Sequence, residues 1–345
     1  MFLICYGTRP EIIKLFPLIK EFKNNNIKFK TLFSGQHKDL YLNFKNLIPK
    51  PDFILDNIME HNQTLNKLSS KILVKIDKIL KKKIFKYIIV QGDTTTAFSI
   101  ALSSFHHKIN VIHLEAGLRT HNRYSPYPEE INRKLISNIA YLHLCPTKIS
   151  VLNLRNEGIT KNVHLVGNTI VDSFNYIYNN SKIPEKINNL IVNLKKKYYL
   201  VTLHRRENRG DKMMNMWNQL NKLSVKYNFI YITHPSLKES KNYLNNNITK
   251  IEPQDYISMI FLIKNSAGII TDSGGLQEEA VCARKKVLVC RDTTDRPETI
   301  DSGWGKLINN KIIDNINFFN EKDGDLVNPY GKNVCKKIIN LLVLK

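Results

Sequence analysis

Short apolar runs alternate with helix-period patterns along this chain, and the alternation happens twice. Phe2–Tyr6, Lys30–Phe33, Tyr87–Val90, Val111–Leu114, His143–Cys145 and His164–Val166 read as strands. Helical patterns lie between them: one started by Pro10 and running through Lys23, others over 38–47 and 64–82, and further ones from Thr94 and from Pro128. The pattern restarts with strand-like Tyr198–Leu203, Phe229–Thr233, Ile248–Ile251, Gly268–Thr271 and Lys286–Cys290. Strands that alternate with helices predict βαβ units and parallel sheets. The expected organisation is an N-terminal α/β domain over 1–175 and a second over 190–332. The polar, Asn/Lys-rich stretch around Pro184 reads as a linker or a linker-flanked helix. The amphipathic segment 333–345 is expected to pack on either half, the first included. A cleft between two such halves is a frequent place for a ligand.

Composition enters as a filter. The 345 residues are 42% hydrophobic and 24% charged, so wholesale disorder is excluded. Cys5, Cys145, Cys282, Cys290 and Cys335 are too scattered for a disulfide framework and form no C-x-x-C. Reduced thiols in a cytoplasmic compartment are expected. No apolar run approaches the roughly 18 residues of a membrane helix, and Phe2–Tyr6 is too short for a signal segment. A soluble chain, not exported, follows as the expectation. The net charge of +22 admits a nucleic-acid partner. The lysines are spread along the chain, however, as in Lys81-Lys82-Lys83 and Lys195-Lys196-Lys197. Basic patches with interleaved aromatics are not evident, so the charge reads as a solvated background.

The chemistry-bearing residues cluster where strands end. Gly7-Thr8-Arg9-Pro10-Glu11 follows the first strand. A strand, a glycine and a Pro-started helix form a phosphate-site geometry, with Arg9 at the strand end and Lys14 one turn on. Its bland alternative is a plain turn. Gln91-Gly92-Asp93-Thr94-Thr95-Thr96 is another strand-to-helix turn, in which Asp93 is either an N-cap or a working carboxylate. Glu115 ends the strand of His113-Leu114-Glu115-Ala116-Gly117-Leu118-Arg119-Thr120, a place with no common structural job for an acid. In Tyr127-Pro128-Glu129-Glu130, Pro128 fits the first helical position, and one of the two acids reads as a partner of the helix dipole. Asp93, Glu115 and Glu129 together are a set suited to acid/base work on a sugar.

The second half repeats the arrangement. Leu203-His204-Arg205-Arg206-Glu207-Asn208 follows its first strand, and a histidine beside two arginines suggests an anion site. In Thr271-Asp272-Ser273-Gly274-Gly275-Leu276-Gln277-Glu278-Glu279, two glycines open a helix whose bare N–H groups suit a diphosphate. Glu279, in the early turns of that helix, suits the hydroxyls of a ribose. Arg291-Asp292-Thr293-Thr294-Asp295-Arg296-Pro297-Glu298 adds charge after the next strand. No Walker loop, G-x-G-x-x-G, H-E-x-x-H or Cys/His cluster is present.

Taken in order, G-T-R-P-E, G-D-T-T-T, H-x-E-A-G-L-R-T, P-E-E-x-N-R, H-R-R-E-N, D-S-G-G-x-Q-E-E and R-D-T-T-x-R-P-E run from Gly7 to Glu298. Together they resemble the UDP-N-acetylglucosamine 2-epimerase family, its non-hydrolysing branch best. The resemblance implies a glycosyltransferase-B-like fold of two Rossmann-like domains facing a cleft, commonly a homodimer, with neither metal nor NAD. It implies interconversion of UDP-GlcNAc and UDP-ManNAc by elimination of UDP, through 2-acetamidoglucal, and its re-addition. Carried over residue by residue, Asp93, Glu115 and Glu129 are the acid/base carboxylates, with His204 a further catalytic candidate. Arg9, Lys14, Arg205, Ser273, Gly274, Gly275 and Arg296 face substrate or phosphate, and Glu279 binds the UDP ribose. The family's regulatory substrate site is matched by Gln36, His37 and Gln63, but Asn62 stands where a basic residue is expected. Weak or absent activation by substrate follows. Other outcomes stay open at this level: a hydrolysing 2-epimerase releasing ManNAc and UDP, or a 2-epimerase for another UDP-2-acetamido sugar such as a 6-deoxy one. A glycosyltransferase is disfavoured by three clustered acids.

Overall fold

The computed structural model describes residues 1–35, 44, 47–194, 196–237 and 239–343. It separates into two compact units, Met1–Ser173 joined by the segment from Tyr330 onward, and Phe174–Pro329. Gln36 and His37 lie outside the described residues.

The first unit is built on a seven-stranded sheet. In chain order its strands are β1 (Phe2–Tyr6), β2 (Phe29–Phe33), β3 (Phe53–Ile54), β4 (Tyr87–Gln91), β5 (Asn110–Leu114), β6 (Leu142–Cys145) and β7 (Val163–Leu165). They lie in the order β3-β2-β1-β4-β5-β6-β7, and every pair is parallel. The central strands carry near-continuous apolar runs because helices cover both faces of a parallel sheet. Leu3, Ile88, Val90 and Val111 are buried in one such face with Leu68, Ile72 and Ile76 of α2 (Leu65–Leu80). The edge strand β3 has two residues, too short for a periodic signal.

Two helices show how the sequence completes this unit. Pro17 lies inside α1 (Arg9–Asn24) and has no N–H to offer Ile13 four residues back. The Ser173 hydroxyl donates to that Ile13 carbonyl instead, at 2.5 Å. The last helix, α14 (Val334–Val343), packs against α1. Its Cys335 N–H donates to Asp172 Oδ2 at 2.6 Å, and the Asn168 N–H donates to the Tyr330 carbonyl at 2.9 Å.

The second unit holds a six-stranded sheet of β8 (Tyr198–Thr202), β9 (Asn228–Ile232), β10 (Ile248–Ile251), β11 (Gly268–Thr271), β12 (Val287–Val289) and β13 (Gly305–Leu307). Its order is β10-β9-β8-β11-β12-β13, again all parallel. Trp217, Phe229, Tyr231, Ile270 and Leu288 lie in its core. The stretch read as a linker contains α7 (Glu185–Leu194), which packs on α10 (Tyr256–Asn265). Among the described residues no helix is long and apolar enough to cross a membrane.

Each sheet reverses its direction of winding once, between β1 and β4 and between β8 and β11. Ligands of open α/β sheets bind outside the carboxyl ends of the strands at such a reversal. The motifs after β1, β4, β8 and β11 all stand there.

Candidate functional site

In the first unit Lys14 and Glu115 meet at the carboxyl ends of β1 and β5, and Asp93 follows β4, the strand between those two. Glu115 follows β5 with φ +67°, in the left-handed region that a residue with a side chain adopts at a cost of about 1 kcal/mol. Its carboxylate repays that constraint with donors. Lys14 Nζ donates to Oε1, Gln91 Nε2 donates to Oε2, and Asn168 Nδ2 approaches Oε1 at 3.5 Å. Lys14 and Glu115 are both buried. Removing either charge would strand the other in a low-dielectric setting.

Asp93 is not the N-cap of α3 (Thr95–His106). Thr94 is, with its hydroxyl accepting the Ala97 N–H at 3.0 Å. The Asp93 carboxylate is thereby left to Arg133, whose Nε donates to Oδ2 at 2.8 Å, while Asn132 Nδ2 donates to the Asp93 carbonyl at 2.9 Å. Both partners come from α4 (Glu129–Ile139), which begins one residue later than the sequence reading, with Pro128 as its N-cap. The acids Glu129 and Glu130 divide their work. Glu130 is fully buried and accepts the Thr120 and His121 N–H groups at 3.0 and 3.1 Å and Arg133 Nη1 at 3.2 Å, so it builds the loop. Glu129, half-buried, opens the helix.

The turn after β1 differs from the phosphate cradle expected there. The Gly7 and Thr8 N–H groups donate to Glu11 Oε2 at 2.8 and 2.6 Å, and the Thr8 and Thr94 hydroxyls also donate to Glu11. An internal carboxylate thus occupies the amides that an anion would use. Burial pushes the Glu11 carboxyl above its ordinary range, against the lowering effect of those donors. Arg9 is exposed at the start of α1. Arg119 is structural as well. Its Nε and Nη2 grip Glu157 at 2.8 and 2.6 Å, and Nη2 also reaches Ser137 Oγ at 3.1 Å.

In the second unit α11 (Gly274–Cys282) starts directly beyond β11, with Ser273 as N-cap. A Cβ on Gly274 would lie 3.5 Å from Asp295 Oδ1 and 3.8 Å from Arg205 Nη2, so the Arg205 guanidinium stands beside the helix start. A Cβ on Gly275 would meet nothing within 4 Å. Bare N–H groups, the positive end of the helix and an arginine are groups that attract an anion, with the Asp295 carboxylate beside them. Glu279 is half-buried in the second turn. Arg296 is drawn inward: its Nε donates to fully buried Glu278 and its Nη1 lies 3.0 Å from Asp295 Oδ2. Arg291 completes this network through Asp295 at 3.3 Å and Glu207 at 2.9 Å.

Asp272, unassigned in the sequence reading, organises the loop after β8. Fully buried, its Oδ2 accepts the His204 N–H at 2.9 Å, the Arg205 N–H at 2.8 Å and Asn208 Nδ2 at 3.0 Å. His204 Nδ1 lies 3.4 Å from Oδ1, and the His204 ring stacks on His234 at 5.0 Å between centroids. Burial lowers the His204 pKa from its ordinary value; Asp272 opposes this, and His234 and Arg205 add to it. Gln63 turns its amide on its own loop, with Nε2 donating to the Ile58 carbonyl at 2.9 Å and Oε1 accepting the Glu60 N–H at 3.0 Å.

A family model described as UDP-N-acetylglucosamine 2-epimerase matches residues 20–343. A UDP-N-acetylglucosamine 2-epimerase of Campylobacter jejuni is 38% identical over 99% of this chain and 97% of its own length. The crystal structure of UDP-GlcNAc 2-epimerase from Neisseria meningitidis bound to UDP-GlcNAc superposes with a TM-score of 0.90 at 35% identity, covering 100% of both chains. That of the Methanocaldococcus jannaschii enzyme in complex with UDP-GlcNAc and UDP gives 0.87 at 34%, again over 100% of both. The glycosyltransferase SnogD from Streptomyces nogalater, 12% identical with a TM-score of 0.66 over 99% of this chain and 98% of its own, shares the fold alone. With the same two parallel sheets and relatives alike from end to end, the chain belongs to the UDP-N-acetylglucosamine 2-epimerase family.

Proposed function

We propose that the protein is a non-hydrolysing 2-epimerase that interconverts UDP-GlcNAc and UDP-ManNAc. The observation that carries this reading is the pairing of a carboxylate set and an anion site. Asp93 and Glu115 end adjacent strands of one sheet, and Arg205 stands beside a helix N-terminus at the reversal of the other.

The hydrogen at sugar carbon 2 has no neighbouring carbonyl and is weakly acidic. Departure of UDP must therefore lead, building positive charge at carbon 1. The C1–O electron pair leaves with UDP, a carboxylate takes the carbon-2 proton, and the C2–H pair becomes the C1=C2 bond of 2-acetamidoglucal. Protonation of carbon 2 on the opposite face, with return of the UDP oxygen to carbon 1, completes the epimer. Asp93, Glu115 and Glu129 stabilise the cationic transition state and move the two protons. Arg205 with the N–H groups of α11 stabilises the departing diphosphate, Glu279 holds the ribose, and Ser273 lies at the helix start. Arg9 and Lys14 face the sugar and phosphates. His204, whose pKa burial lowers, stands on the loop beside Arg205 as a hydrogen-bonding group for the substrate. Arg296 acts from behind, fixing Asp295 and Glu278.

Proton NMR of the purified protein with UDP-GlcNAc in heavy water tests the reading. UDP-ManNAc carrying deuterium at carbon 2 supports it. Free ManNAc with UDP would move it to a hydrolysing enzyme, and no turnover would point to another UDP-2-acetamido sugar. The homodimer expected of this family is checked by sedimentation.

A further inference from the structure

His113 is the fourth residue of β5 and has no exposed surface. Its ring reaches sideways to the neighbouring strand, where Nε2 lies 2.8 Å from the Gly92 carbonyl oxygen. Gly92 is the turn residue between β4 and Asp93, with φ +70°. Its N–H donates to the Leu114 carbonyl at 3.0 Å, extending the β4–β5 ladder. Beyond the turn, Asn132 holds the Asp93 carbonyl. The carbonyl of Gly92 belongs to the peptide plane that enters Asp93, and the imidazole is its partner. The same strand that carries His113 ends two residues later in Glu115. One buried ring therefore links the strand bearing one carboxylate to the peptide that aims the other.

We propose that His113 is a positioning residue for the epimerisation, setting Asp93 relative to Glu115 through the Gly92 carbonyl. The proposal rests on the acid/base reading of those two carboxylates. A carbonyl only accepts, so Nε2 carries the hydrogen. Among the described residues Nδ1 has no hydrogen-bond partner, and a second proton there would be buried unpaired. His143 sits beside His113 in the β5–β6 register, and Arg119 follows on the loop, both disfavouring a charged ring; the Gly92 carbonyl and Glu115 favour it. Burial, the largest influence, holds the pKa of His113 down to about 3. The ring is thus a fixed neutral donor and takes no part in proton transfer.

Two variants and one spectrum decide the matter. His113→Leu removes the donor and keeps the site apolar, whereas His113→Gln retains an N–H of similar reach. His113→Leu is expected to lower kcat about 10- to 100-fold, the cost of a carboxylate misplaced by a fraction of an ångström to one ångström. KM for UDP-GlcNAc and the Kd of UDP should stay within about threefold of wild type. His113→Gln should recover most of the lost kcat. A His113→Leu enzyme with unchanged kcat, a loss carried by KM, or a His113→Gln enzyme no better than His113→Leu would overturn the assignment. Should the variants not fold, 15N NMR of the wild-type imidazole still decides. The Nε2–H tautomer is expected through neutral pH, and an Nδ1–H tautomer or an imidazolium overturns the proposal. Absence of wild-type turnover on UDP-GlcNAc would count against the functional reading, while the tautomer would still report on the Gly92 bond.

Discussion

Gly275 offers a test in which stability and binding should move in opposite directions. It is the second residue of α11, exposed, and its backbone is not in the left-handed region. A Cβ there meets nothing within 4 Å, so the fold makes no demand for glycine. Gly275→Ala should therefore stabilise the second unit by about 0.5–1 kcal/mol through helix propensity and a less disordered unfolded chain. For a unit of this size that is a rise in Tm of about 1–4 °C. The same methyl is harmful to a ligand. Cα–Cβ bonds in a helix tilt toward its N-terminus, so the added carbon leans into the space before the bare N–H groups. Loss of one charge-assisted hydrogen bond to a phosphate, at about 1.5–3 kcal/mol, weakens UDP by about 10- to 100-fold. Calorimetric titration with UDP beside a thermal melt reads both numbers. A variant that melts higher and binds UDP within twofold of wild type would refute the diphosphate site at α11. A variant that melts lower would refute the claim that glycine is unnecessary to the fold.

Three further outcomes follow from the site. Glu115→Gln should abolish deuterium incorporation at carbon 2 while UDP affinity, measured by titration, changes little; full activity would remove Glu115 from the acid/base set. Asp272→Asn exchanges a charged acceptor of three hydrogen bonds for a neutral one at about 1 kcal/mol per bond, and a neutral side chain relieves part of this by being easier to bury. A drop in UDP affinity of about tenfold or more is expected as the loop of His204 and Arg205 loosens, and an unchanged Kd would show that the loop is held otherwise. Initial rates plotted against UDP-GlcNAc should be hyperbolic, because Asn62 supplies no cation and Gln63 is engaged by its own loop; strong sigmoidality would contradict this.

The long-range architecture was legible because parallel strands buried on both faces must be written as apolar runs. The runs at Tyr87–Val90 and Gly268–Thr271 could hardly be anything else. The short edge strands β3 and β13 carry too few residues for a pattern. Side-chain roles were harder, since a motif reports residue types and not what each side chain bonds to. In G-T-R-P-E the glycine and threonine amides suggested a phosphate, yet Glu11, four residues from Gly7, takes them. In G-D-T-T-T the cap moved from Asp93 to Thr94, and that shift leaves the acid to Arg133. Asp272 was passed over because an aspartate at a strand end looks like any cap until three donors are seen converging on it. Gln91 was read as the first residue of the turn after Tyr87–Val90; it is the last residue of β4, and only the fold places its amide on Glu115.

The return of the chain to its first unit has a consequence during synthesis. The segment from Tyr330 belongs with Met1–Ser173, although all of Phe174–Pro329 is made before it. The second unit is continuous in the chain and has all its residues as soon as Pro329 has emerged. The first must wait, with the face of α1 that receives α14 still bare, while 156 residues, Phe174 to Pro329, are translated. At about 5–20 residues per second that interval lasts on the order of ten to thirty seconds. The earlier-made half of this protein therefore completes its fold only after the whole of the later-made half has been synthesised.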